Sequence, residues 1–141
     1  MALGLLARRE HSRRELTEKL QARAFEIEPI REALDRLEEQ GWLDEGRFIE
    51  SFVRSRVQKA YGPLRIKAEL AQRGIDRSRA ERALRALQDE WPAIAEQALR
   101  HRFGTPVPAT LDDHRRFRNF LLRRGFVAEQ VTRLVRRPPA P

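Results

Sequence analysis

The sequence predicts an all-α fold: three tandem three-helix repeats stacked into an elongated, curved body. Apolar residues recur at helical spacing along most of the chain, and alternating runs of strand type are absent. One pattern also returns twice with an almost constant period. Set beneath one another, KLQARAF from Lys19, ELAQRGI from Glu69 and FLLRRGF from Phe120 lie 50 and then 51 residues apart. In that register Leu20, Leu70 and Leu121 coincide, as do Arg23, Arg73 and Arg124, and Phe25, Ile75 and Phe126. Leu16, Ile66 and Phe117 align upstream; Ile30, Ala80 and Val131, then Leu34, Leu84 and Val135, align downstream. Units this small bury too little surface alone, so neighbours must stack.

The repeats are placed at residues 1–43, 44–90 and 91–137, followed by a proline-rich tail at 138–141. In the first, Leu3, Leu6 and Ala7 begin an apolar stripe. Ser12-Arg-Arg-Glu15 reads as a capping box ahead of Leu16 and Leu20. Pro29 falls in the first turn of a helix carrying Ile30, Ala33, Leu34 and Leu37, and Gly41 stops it. In the second, Asp44 is an N-cap before the broad apolar arc Phe48, Ile49, Phe52, Val53, Val57 and Ala60. Gly62-Pro63 ends that helix and starts the next, with Leu64, Ile66 and Leu70; Gly74 turns the chain and Asp76 caps a third helix. The third repeat opens at Trp91-Pro92, crosses a proline-rich connection (GTPVPATL from Gly104), and resumes with Asp112 or Asp113 as cap and Gly125 as turn.

Composition narrows function. Of 141 residues 40% are hydrophobic and 35% charged, and none is cysteine, which removes disulfides and thiolate chemistry and is compatible with a reducing cytoplasm. No run has the length of a membrane span or of a signal-peptide core, so a cytoplasmic protein is expected. The net charge of +8 favours an acidic or polyanionic partner. It is graded along the chain: −1 for residues 1–43, +3 for 44–90 and +6 for 91–141. His11, His101 and His114 are unclustered and read as surface residues; carboxylate pairs sit at helix ends, and no phosphate-cradling glycine loop is present. No enzyme, metal, cofactor or small-molecule substrate is expected.

The candidate residues are therefore cations. Arg56 falls between Phe52 and Ile49 on a helical wheel and reads as a structural arginine that bonds carbonyls or a carboxylate. Arg54, Lys59, Arg65 and Lys67 flank Tyr61-Gly62-Pro63, where they form a grip for phosphates or an acidic surface with Tyr61 stacking or hydrogen-bonding; a solvated basic face with Tyr61 packed between units explains them equally well. Arg115, Arg116, Arg118 and Arg123, with Arg124 beside them, make a second patch of the same kind.

Three passages together resemble one known family: LLARREHSRRELTEKL from Leu5, LEEQGWLDEGRFIESFVRSR from Leu37, and GPLRIKAELAQRGI from Gly62. They are similar to the RecX family of bacterial regulatory proteins, and the likeness extends along essentially the whole chain. Gly46 and Ile49 stand where that family more often has alanine, and Ala24 replaces the usual turn glycine. The resemblance implies three three-helix repeats and a negative regulator of the RecA recombinase. Such a protein lodges in the groove of the RecA–single-stranded-DNA filament, blocks its extension or promotes its disassembly, and lowers ATPase, strand-exchange and coprotease activities. It also implies DNA, single- or double-stranded, as a further partner for several members, and transfers no catalytic residue. A DNA-binding helical repeat protein acting without RecA is the alternative.

Overall fold

A computed structural model describes residues 1–139 and contains nine helices and no strand among them. The helices are α1 (Ala2–Arg8), α2 (Arg13–Ala22), α3 (Ile27–Glu39), α4 (Glu45–Gln58), α5 (Pro63–Gln72), α6 (Arg77–Arg85), α7 (Trp91–Phe103), α8 (Leu111–Arg123) and α9 (Ala128–Leu134). Helix–helix packing is most extensive within α1–α3, α4–α6 and α7–α9, so three tandem units are present. The accessible surface of 9283 Å² exceeds the roughly 7,600 Å² expected of a compact monomer of 16.5 kDa, as an extended array requires. Of the expected tail at 138–141, residues 140–141 lie outside the described residues.

Local signals act where the sequence puts them. Ser12 and Glu15 form the reciprocal capping box, Asp44 accepts from the Arg47 amide and Asp76 from that of Arg79, and Pro63 occupies the first turn of α5. The cap of α8 is different. Thr110, not Asp112 or Asp113, accepts from the Asp113 amide at 3.0 Å, because α8 begins at Leu111. The two carboxylates instead sit in its first turn, where they oppose the positive end of the helix.

Two separate apolar cores result. One belongs to unit 1 and is built on Leu16, Leu20, Ile30, Leu34 and Leu43. The other runs without a break through units 2 and 3, from Phe48 to Val135. Four expected core positions lie outside: Leu3, Ala7, Phe25 and Leu64 are exposed. Leu64 stands two residues before Ile66, which puts it across the helix from the buried Ile66 and Leu70. Phe25 is 46% exposed although its counterparts Ile75 and Phe126 are 4% and 1%. In unit 3 Trp91 packs edge-on against Phe126, whereas α1, with 7 residues against 14 in α4, supplies no such cover. His11 corrects the sequence reading in the other direction, being only 1% exposed. The Arg9 carbonyl accepts from its Nδ1–H at 3.0 Å, so Nε2 is left to accept from the Lys19 ammonium at 3.0 Å. Burial pushes its pKa below the ordinary value and favours this neutral form.

Successive units meet at equivalent places: the turn before the third helix of one unit sits on the start of the second helix of the preceding one. At the joint of units 2 and 3, the Gly62 amide donates to the Arg124 carbonyl at 2.8 Å and the Leu64 amide to the Gly125 carbonyl at 2.9 Å. Those amides open α5 and have no partner within the helix. The backbones come so close that a Cβ on Gly125, whose φ is +95°, would stand 2.5 Å from Arg65 Cβ. At the joint of units 1 and 2, Gly74 lies against the Arg14 side chain in the same way. There the capping box already satisfies the Ser12 and Glu15 amides, and the link is ionic: Arg73 stands 4.0 Å from Glu15, and Arg47 reaches Glu10 at 3.1 Å. Burial pushes the Glu15 pKa up, but the hydrogen bonds from Arg9 and the Ser12 amide outweigh it and hold the carboxyl below its usual value.

The turn residues carry a stability prediction. Gly125→Ala should destabilise the protein by about 2–4 kcal/mol, from left-handed strain together with backbone collision at the joint. Ala24→Gly, where φ is +66°, should stabilise it by about 1 kcal/mol. Urea unfolding of both variants measures the two effects.

Candidate partner interface

The candidate residues do not form a single patch. Arg54 lies on α4 at the rim of a groove toward α6, 3.7 Å from Glu50. Lys67 turns the other way and meets Glu81 of α6 at 2.8 Å, a carboxylate that Arg77 also holds at 2.9 Å. Those two cations, hydrogen-bonded to Glu81, hold its pKa well below the usual range, at about 2. Lys67 is thereby committed to the packing of α5 on α6.

Tyr61, Arg65 and Lys59 do come together, around a residue outside the first patch. Arg65 lies over the Tyr61 ring with its guanidinium carbon 3.8 Å from the centroid, and Arg124 lies 4.1 Å from the same centroid. Two guanidiniums so close to one ring centre cannot share a face without overlapping, so they sandwich it. Tyr61 therefore offers neither face to a stacking base. Arg124 also donates through Nε to the Ala60 carbonyl at 3.2 Å and through Nη2 to that of Lys59, closing the C-terminal end of α4. The signal for Arg124 was present in the repeat register. Arg73, its counterpart, reaches the preceding unit at Glu15 instead, 4.0 Å away, while its guanidinium lies 4.6 Å from the Phe52 ring of its own unit.

Arg56 shares that ring, 4.3 Å from its centroid, and donates through Nε to Glu69 of α5 at 2.9 Å. Its side chain is 17% exposed and Glu69 is 21%, which makes this ion pair one of the less hydrated ones in the protein. In unit 3 the second patch divides as well. Arg115 pairs with Asp112, Arg116 lies 3.6 Å from Asp113, and Arg118 donates to the Thr132 hydroxyl at 3.0 Å. Arg123 is exposed; with Arg102, Arg116 and Asn119 it lines a small pocket beside Phe103 and Phe120. Among the described residues no group of three or more His, Asp or Glu side chains could hold a metal ion, and no helix is long and apolar enough to cross a membrane.

Two of these pairs can be tested directly. The Glu81 carboxyl should titrate near pH 2 by NMR, and in Lys67→Met it should move back toward 4.5. Because the folded pKa is the lower one, the stability from this contact is present above the unfolded value and is lost as the pH falls toward 2. Arg56→Ala should lower stability by about 1–2 kcal/mol in urea melts, since it leaves Glu69 half-buried without its partner.

With this geometry in place, comparison with known proteins is specific. Two family models match, described as the first three-helix domain of RecX over residues 1–37 and the second over residues 44–84. A protein named regulatory protein RecX from Stenotrophomonas maltophilia is 42% identical over 98% of this chain and 85% of its own. Proteins of the same name from Pseudomonas fluorescens and Halorhodospira halophila are 46% and 48% identical, over 95% and 92% of this chain and 86% and 81% of theirs. The crystal structure of RecX from Lactobacillus salivarius, 24% identical, superposes with a TM-score of 0.78 over 94% of this chain and 88% of that one, a likeness of fold. Matched by two successive domain models and by relatives above 40% identity along nearly its whole length, the chain belongs to the RecX family.

Proposed function

We propose that this protein is a negative regulator of the RecA recombinase. It binds the RecA–single-stranded-DNA filament, blocks its extension or promotes its disassembly, and so lowers RecA's ATPase, strand-exchange and coprotease activities. Family membership along nearly the full chain carries this reading. The protein acts by binding, without chemistry of its own.

The architecture suits such a role. Each unit offers helices of up to 14 residues, about 21 Å long, and three units in tandem span more than one protomer of a helical filament. Contacts made by separate units to neighbouring protomers add as effective concentration, so modest individual sites yield tight binding to the polymer and weak binding to free subunits. The charge gradient, rising to +6 in the last third, favours approach to a filament loaded with DNA.

The deciding experiment follows ATP hydrolysis by the cognate RecA on single-stranded DNA as this protein is added below stoichiometry. Hydrolysis should fall well before one molecule per RecA is reached. Unchanged hydrolysis, together with tight DNA binding in the absence of RecA, would replace this reading with that of a DNA-binding repeat protein.

A further inference from the structure

We propose that the cleft between units 2 and 3 is a docking groove for an acidic, amphipathic helical segment of a protein. Resting on the function proposed above, this is the face turned to the recombinase filament. The cleft, of about 1030 Å³, lies between the C-terminal end of α4 and the open side of α7. Its floor is aliphatic, formed by Val57, Leu87, Ile94 and Ala98 with the Phe120 ring. Along α7, Ile94, Gln97 and His101 line it at spacings of three and four, a ridge onto which another helix packs.

Charge is distributed unequally around this floor. Lys59, His101, Arg102 and Arg124 line the cleft, and Glu90 is its one carboxylate. Many of the chain's other cations are neutralised internally, as in Arg56–Glu69, Lys67–Glu81 and Arg100–Glu96, although Arg8, Arg36, Arg82 and Arg85 are also without a carboxylate among the described residues. Lys59 and Arg102 have no carboxylate partner among the described residues. Past Arg102 the cationic end continues into the pocket lined by Arg116 and Arg123. An apolar trough with unpaired cations at one end matches a helix with one apolar face and carboxylates at the corresponding end. Carboxylates docked there form charge-assisted bonds beside an apolar floor.

Nucleic acid fits the cleft less well. Binding of single strands relies on aromatic platforms for the bases, and both faces of Tyr61 are covered by guanidiniums. Most of the floor is aliphatic.

The test measures binding of the fluorescently labelled full-length protein to cognate RecA filaments, assembled on oligo-dT with a non-hydrolysable ATP analogue. Three variants are compared: the double substitution Ala93→Glu/Gln97→Glu at two exposed cleft positions, Arg102→Glu, and, as a charge-matched control far from the cleft, Arg31→Glu. The first two should bind at least tenfold more weakly and the control within twofold of the parent, with melting temperatures unchanged. Hydrogen exchange in the complex should show protection at residues 57–61 and 94–102. If the parent binds and both cleft variants bind equally well, or protection is confined to the groove between α4 and α6, the docking site is wrong while the regulatory reading stands. If Arg102→Glu alone weakens binding and weakens bare oligo-dT binding equally, the cleft is a nucleic-acid site and the proposal is overturned. A parent protein that does not bind filaments at all removes both readings together.

Discussion

The contact of the Arg124-Gly125 turn with the start of α5 is the constraint on which the rest of units 2 and 3 depends. A helix opens with amides that its own geometry leaves without acceptors. Pro63 removes one of them, and the carbonyls of Arg124 and Gly125 take those of Gly62 and Leu64. Because those acceptors belong to the next unit, the two units are held in one register, and Arg65 packs where any side chain at 125 would stand. Arg124 completes the arrangement by bonding the carbonyls at the end of α4 and closing over Tyr61. One short turn thus satisfies a helix start, a helix end and an aromatic face.

The joint of units 1 and 2 uses the same location with different chemistry. There the capping box satisfies the helix start internally, so the following turn is joined through Arg73, Glu15, Arg47 and Glu10. The division of the apolar core follows the same line, with one cluster in unit 1 and one shared by units 2 and 3. Units 2 and 3 are held by apolar packing and backbone hydrogen bonds, which salt hardly screens. Unit 1 is held to them largely by ion pairs, which it does screen.

Net charge is a coarse guide to where a partner binds. The total of +8 includes many arginines already committed to carboxylates, carbonyls or aromatic rings. Some of those left without carboxylates among the described residues, such as Arg8, Arg36 and Arg85, are scattered along the chain, while Lys59, Arg102 and Arg123 stand around the joint of units 2 and 3 beside concave apolar surface. The proposed docking surface draws on cations that stay unpaired after the fold has used others.

The sequence by itself determined the helices, the caps at Ser12, Asp44 and Asp76 though not that of α8, and the repeat, because these depend on residues three or four apart: Ser12 with Glu15, Asp44 with the Arg47 amide, Ile66 with Leu70. It also marked Arg124 and Gly125 through their register with Arg73 and Gly74. It did not separate Arg54 and Lys67 from Tyr61, bury His11, or expose Phe25 and Leu64. Those outcomes turn on partners far away in the chain, such as Glu81 for Lys67 and Arg124, 63 residues on, for Tyr61. Periodicity says which face of a helix is apolar. Only the tertiary structure decides which neighbour covers that face and which cations find a carboxylate, because both depend on distances the chain acquires when its units stack.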